Sequence, residues 1–209
     1  MKNNNRGDGL AIQSEKPLIT KTEMILNQYH VHIDSEIGDP ETYRDLVTLL
    51  FNATEADDIT LYLNSPGGNL DSALAIIEGL KTTDAHARAI ILGSCHSAAS
   101  MITMYCHEVI ILDSAHSLVH TASFGAVGNT GNVKAHTDFT VRQVEKFLHT
   151  TYDGFLTPEE LVHVKAGVEL WFDADEIRDR MVKRNKYLEK LIKKTKVKIK
   201  SEDKLNESN

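Results

Sequence analysis

Nucleophilic side chains and histidine are concentrated in one stretch, Gly93-Ser94-Cys95-His96-Ser97-Ala98-Ala99-Ser100-Met101. It follows an apolar run from Ala87 to Leu92 and precedes a helical pattern predicted from about Ser100 to Tyr105. A serine in the first turn of a helix has its hydroxyl near unpaired backbone N–H groups and the positive end of the helix dipole, where a developing oxyanion is stabilised. Ala98 and Ala99 leave room around Ser100, which makes Ser100 the candidate nucleophile; the plainer alternative is an N-cap serine. No Gly-x-Ser-x-Gly elbow occurs in the stretch, which argues against an α/β-hydrolase site. Cys95, beside His96, is the competing nucleophile, but neighbours in sequence seldom point at each other and a buried cysteine usually behaves as an inert small hydrophobe.

Two other segments bear on the same chemistry. Asn64-Ser65-Pro66-Gly67-Gly68 follows an apolar strand pattern and precedes a helical one, so its glycines can turn backbone N–H groups toward a ligand as an oxyanion hole. The alternative is a plain turn. The segment lacks the Lys-Ser/Thr of a phosphate-binding loop and the three-glycine dinucleotide fingerprint, which disfavours nucleotide binding. Ser117-Leu118-Val119-His120 places a histidine at the end of an apolar strand. His30 and His32 share one face of a strand pattern, but no third ligand is tied to them in sequence, so no metal is expected.

The elements that carry these segments alternate. Strand patterns are predicted at Gln28 to Ile33, Ile59 to Leu63, Ala87 to Leu92, Val109 to Leu112 and Ser117 to His120. Helical patterns follow Asp39-Pro40-Glu41, run from Leu70 through Leu80, and dominate residues 132–160. Strand and helix alternation on short connections implies βαβ units around a largely parallel sheet, an α/β fold. Residues 1–21 read as a flexible arm, 22–177 as one domain with a helical extension at about 132–166, and 178–209 as a basic terminal helix ending in a disordered tail from Ser201.

Composition narrows the class further. The chain has 209 residues, 41% of them hydrophobic, which suits a globular domain. The longest apolar runs are strand-sized, well below the roughly 20 residues of a membrane span, and the polar N-terminus leads into no apolar signal region. A cytoplasmic protein without a membrane partner is expected, and two cysteines fit a reducing compartment. The net charge of −7 conceals an acidic body, with 11 Lys/Arg against 25 acids in residues 1–177, and a basic segment with 11 against 2 in residues 178–200. That segment reads as a solvated helix face, so no nucleic-acid partner is expected.

Taken in order, Ile59-to-Leu63 with Asn64-Ser65-Pro66-Gly67-Gly68, then Ser97-Ala98-Ala99-Ser100-Met101, then Ser117-Leu118-Val119-His120, then Glu169-Leu170-Trp171-Phe172-Asp173 resemble the proteolytic subunit of Clp protease, the ClpP-like serine peptidases of the crotonase-like superfamily. The resemblance covers roughly residues 28–177. It implies a ClpP/crotonase-like spiral of ββα units with a helical handle, and a Ser-His-acid site in which Ser100 is the nucleophile, His120 the base and Glu169 the acid. The backbone N–H groups of Gly67 or Gly68 and of Met101 would form the oxyanion hole. Glu169 stands where the family has Asp, with Asp173 and Asp175 as neighbouring alternatives. The stretch between Ser100 and His120 is shorter than in the family, and Thr121-Ala122 replaces Gln-Pro after the histidine.

The resemblance further implies a serine endopeptidase acting on unfolded or threaded polypeptides, without metal or organic cofactor. Its partners would be further copies of the chain in a ring and an ATP-dependent unfoldase. Three alternatives share the fold: an acyl-CoA enzyme of the crotonase type, a weak or inactive ring-forming subunit, and a capsid-maturation protease of a phage.

Overall fold

The computed structural model describes residues 27–206, with side chains described to residue 196. The sequence-predicted arm, residues 1–21, and the first residues of the expected domain, 22–26, therefore lie outside the described residues.

The sheet is built from β1 (Asn27–Ile33), β2 (Asp57–Ser65), β3 (His86–His96), β4 (Glu108–Ile111), β5 (His116–Val119) and β6 (Leu170–Asp173). The helices are α1 (Arg44–Asn52, entered through a 3-10 turn at Pro40–Tyr43), α2 (Leu70–Thr82), α3 (Ala98–Thr103), α4 (Thr130–Tyr152), α5 (Pro158–Lys165) and α6 (Ala174–Asn206). The order across the sheet is β1-β2-β3-β5-β6, with β4 also paired to β3. All pairs are parallel except β5 with β6. The predicted α/β class and its largely parallel sheet are borne out.

The central strands are apolar because helices cover them. Ile59, Leu61 and Leu63 of β2, Ala87, Ala89 and Ile91 of β3, and Ala73, Ile76 and Ile77 of α2 share one buried core. Burying such side chains is the main favourable term in folding, roughly 1.5–3 kcal/mol for each large one.

The strand β3 is long enough to serve two neighbours. Its first half, Arg88 to Ile91, pairs with β4. Its second half, Ser94 to His96, pairs with β5. The carboxyl ends of β2, β3 and β5 therefore lie side by side, at the edge where parallel sheets gather their functional loops. Because β6 runs antiparallel to β5, with Val119 opposite Leu170, the residue entering β6 meets the residue leaving β5. Those residues are Glu169 and His120.

The structure differs from the expected element boundaries in three places. β3 continues to His96, four residues beyond the predicted end at Leu92, and α3 starts at Ala98. The predicted helical handle is two helices, because Thr157 closes a capping box with Glu160 and Pro158 occupies the first turn of α5. The terminal helix continues to Asn206, past the expected break at Ser201. Near the base of the handle, Arg180 of α6 holds Glu160 at 2.7 Å and covers the ring of Phe172. That ion pair holds the Glu160 carboxyl below its ordinary range.

Candidate active site

The turn from β2 to α2 forms one wall of the site. Ser65 Oγ donates to Ser35 O at 2.6 Å and accepts the Gly67 N–H at 3.1 Å. Ile37 clamps the turn from outside: its N–H donates to Gly67 O, and its carbonyl accepts the Asn69 N–H, both at 2.7 Å. Gly67 and Gly68 have φ of 92° and 141°, where side chains are disfavoured. A Cβ on Gly67 would lie 2.6 Å from His96 O and 2.8 Å from Ser97 Cβ, so this glycine is what lets the first turn pack against the second.

The second turn, from β3 to α3, is a single residue. Ser97 has φ 52° and ψ −122°, and it alone among the described non-glycine residues has positive φ. Its N–H donates to Leu118 O at 2.8 Å, tying the elbow to β5. Its hydroxyl lies 2.8 Å from His120 Nε2. A non-glycine residue held in this region costs of order 1–3 kcal/mol, and such strain clusters at active sites.

The third element is the His120–Glu169 pair set by the β5–β6 register. His120 Nδ1 is 4.0 Å from Glu169 Oε1, and the Glu169 side chain is half exposed. The neighbouring acids are committed elsewhere. Asp173 Oδ1 accepts the Glu176 N–H at 2.9 Å at the start of α6, and Asp175 pairs with Arg178 at 2.7 Å. His96 packs edge-on to Trp171 at 5.1 Å and beside His116 at 5.0 Å. Burial, with the His116 and His120 charges adding to it, pushes its pKa below the ordinary histidine range.

Two expected site residues turn the groups expected of them away from the cavity. Ser100 is 1% exposed and does not meet His120. Its hydroxyl donates to Ser97 O at 2.8 Å and bonds to the hydroxyl of Tyr152 at the end of α4. Ser97 rather than Ser100 faces the histidine, because α3 begins at Ala98, two residues before the expected start at Ser100, and turns Ser100 inward. The Met101 N–H, expected in the oxyanion hole, instead donates to Ser97 O at 3.1 Å in the first turn of α3. Gly67 N–H is likewise engaged, by Ser65 Oγ. The N–H groups of Gly68 and Ala98 donate to no group among the described residues, and both residues line the cavity beside Ser97.

Ser97 was legible from one arithmetic signal. Counting from Ser97 lengthens the serine-to-histidine stretch by three residues, which reduces the shortfall noted against the family. Cys95 is fully buried, and burial pushes its thiol up to about 12, which leaves it protonated. His30 and His32 both engage Tyr62 on the neighbouring strand, through its hydroxyl at 3.2 Å and its ring at 4.6 Å.

The cavity at this edge measures about 480 Å³. Gly68, Ser97, Ala98 and His120 form its polar side, and Leu70, Met101, Val144, Phe147, Leu148 and Tyr152 its apolar side. The strand ends thus supply a hydroxyl, a base and two N–H donors, while α2, α3 and the handle supply an apolar pocket.

Comparison with known proteins identifies the family. The family model for Clp protease matches residues 13–180. The ATP-dependent Clp protease proteolytic subunit 1 of Streptomyces coelicolor is 25% identical over 176 residues, covering 83% of this chain and 77% of the relative. Subunit 3 of the same organism is 24% identical over 164 residues, covering 75% and 74%. Subunit 1 of Mycobacterium tuberculosis is 25% identical over 160 residues, covering 74% and 79%. With a match over most of its length, the chain belongs to the Clp protease family.

Proposed function

We propose that this chain is a serine endopeptidase whose nucleophile is Ser97, with His120 as general base and Glu169 orienting the histidine. The carrying observation is the 2.8 Å contact of Ser97 Oγ with His120 Nε2, made on a strained strand-to-helix elbow. Family membership supports peptidase activity. His120 takes the Ser97 proton as the oxygen attacks a peptide carbonyl, then returns it to the leaving amine; water repeats the cycle on the acyl-enzyme. The N–H groups of Gly68 and Ala98, from the two turns on either side of the attack, receive the oxyanion. Glu169, across the β5–β6 register, favours the imidazolium and draws nearer His120 Nδ1 when substrate excludes water, as catalytic hydrogen bonds often tighten on binding.

The substrates are segments of unfolded polypeptide, and an ATP-dependent unfoldase is the partner; the names of the relatives, proteolytic subunits of an ATP-dependent protease, support that partner. Further copies of the chain form the enclosing assembly, and the exposed Phe139 and Val141 on α4 supply apolar surface for it. No helix among the described residues is long and apolar enough to cross a membrane.

The test is labelling with a fluorophosphonate, followed by mass analysis of the adduct peptide and of the native assembly. The expected adduct is on Ser97, absent in Ser97→Ala. An adduct on Ser100 overturns the assignment. No adduct in an intact assembly selects a subunit that assembles without cutting, a reading favoured by the 4.0 Å gap between His120 and Glu169.

A further inference from the structure

Ser100 and Tyr152 are buried polar groups that the proposed mechanism leaves without a role. Both are at most 1% exposed, and they bond to each other across 52 positions of sequence. Burial, the largest influence on Tyr152, raises its pKa, so the phenol stays protonated. Ser100 has one hydroxyl proton and directs it to Ser97 O at 2.8 Å, with Leu118 O a longer second acceptor at 3.4 Å. The Tyr152 O–H in turn donates to Ser100 Oγ, which orients the serine.

The carbonyl that receives this bond belongs to the Ser97–Ala98 peptide. A trans peptide is planar, with its C=O and N–H pointing in opposite directions, so whatever fixes the Ser97 carbonyl also aims the Ala98 N–H. A half-turn of that plane would move Ser97 from ψ −122° toward the left-handed helical region, roughly +57° and +47°, which is the more relaxed conformation at its φ of 52°. The same half-turn would carry the Ala98 N–H out of the cavity. Met101 N–H at 3.1 Å and Ser100 O–H at 2.8 Å are the two groups that oppose it.

We infer that Ser100 and Tyr152 are a positioning pair that locks the Ser97–Ala98 peptide with its N–H in the oxyanion hole, so that the base of the handle holds the active site in its working conformation. The inference rests on Ser97 being the nucleophile. It makes neither residue a catalytic one, since neither touches the reacting atoms. The pair also links α4, whose outer surface carries Phe139 and Val141, to the elbow through two hydrogen bonds.

The test compares the intact protein with Ser100→Ala, Tyr152→Phe and the double variant. The readouts are kcat and KM for a fluorogenic peptide and inhibition by a peptide aldehyde, whose hemiacetal oxygen occupies the oxyanion position. Ser100→Ala is expected to lower kcat by about 30-fold with KM within about twofold, and to weaken the aldehyde by a similar factor, since losing one oxyanion donor outright costs about 10²–10³. Tyr152→Phe preserves shape and is expected to cost about fivefold in kcat, with little further loss once Ser100 is already alanine. Retention of kcat within about twofold in Ser100→Ala, or independent losses that multiply in the double variant, overturns the pairing. Loss of fluorophosphonate labelling in Ser100→Ala while Ser97→Ala still labels overturns instead the nucleophile on which the inference rests.

Discussion

The two turns that build the site solve the same problem in opposite ways. At the end of β2 the chain reverses through Gly67 and Gly68, for which positive φ carries little penalty, and Asn69 then caps α2 by accepting the Ser72 N–H at 3.1 Å. At the end of β3 the chain reverses through Ser97, which pays for its left-handed backbone and makes no side-chain cap on α3. Glycine would be easier there but has no hydroxyl. The difference separates a turn selected for its backbone from one selected for its side chain: both are held from outside, the first by Ile37 and the second by Leu118, Met101 and Ser100, but only in the second does that support hold a non-glycine residue at positive φ.

The largest expected effect comes from forcing the two turns apart. Gly67→Ala places a Cβ against His96 O and Ser97 Cβ, both part of the second turn, at a φ of 92°. Backbone must shift to admit it. We expect a loss of about 3 kcal/mol in denaturant-induced unfolding and a drop in peptidase activity of about 10²-fold, because misplacing reacting groups by a fraction of an ångström is enough to do so. Wild-type activity in this variant would show that the turns do not depend on each other.

The next effect concerns the acid that reaches the second turn from β6. Glu169→Gln keeps the shape and removes the charge. Since Glu169 is half exposed and 4.0 Å from His120, a loss of about tenfold in kcat/KM is expected, with stability unchanged. A loss of several thousandfold would show that the carboxylate closes fully on the imidazole during turnover. If Asp173→Asn were the more damaging change, the cap on α6 would have to open in the working state.

How much of this was legible follows the same division. The first turn announces itself, because Pro66, Gly67, Gly68 and Asn69 are residues that turns select. His120 and Glu169 were also readable as the ends of strand-like or family-like segments. The second turn reads too long, from Gly93 to Ala99, since Gly93, Ser94 and their small or polar neighbours look like turn residues locally. In the structure they continue β3 because Ser94, Cys95 and His96 pair with His116, Ser117 and Leu118, a tertiary contact that local preference does not encode. Strand β6 was missed for a similar reason: four residues, partly exposed, become a strand only by pairing with β5. The contact of Tyr152 with Ser100 had no local signature, as the two lie 52 positions apart.

A smaller effect tests the cap on the first turn. Asn69→Ala removes the acceptor for Ser72 N–H and the 3.3 Å bond from Asn69 Nδ2 to Asp39. About 1 kcal/mol of stability should be lost, with kcat changed less than about twofold, because the Asn69 N–H bond to Ile37 O that shapes the Gly67-Gly68 turn remains. A large kcat loss would make this side chain part of the site.

The smallest expected effect is the most direct measure of what the second turn stores. Ser97→Ala and Ser97→Gly both remove the hydroxyl and its bond to His120, so that loss cancels when the two variants are compared with each other. Alanine keeps a Cβ at φ 52°, whereas glycine relieves it; relief of a strained backbone residue is worth of order 1–3 kcal/mol. Glycine also loosens the unfolded chain, which offsets about 0.5–1 kcal/mol of that gain. The remainder makes Ser97→Gly more stable than Ser97→Ala by roughly 0–2.5 kcal/mol, about 1 kcal/mol at the middle of these ranges, read as the difference between their urea midpoints at a common slope. At a relaxed position the order reverses, since glycine is then the more destabilising residue. An alanine variant more stable than the glycine one would therefore mean that the elbow is unstrained. The contrast between the turns would then lie in their side chains alone, and the positive φ of Ser97 would need no support from Ser100.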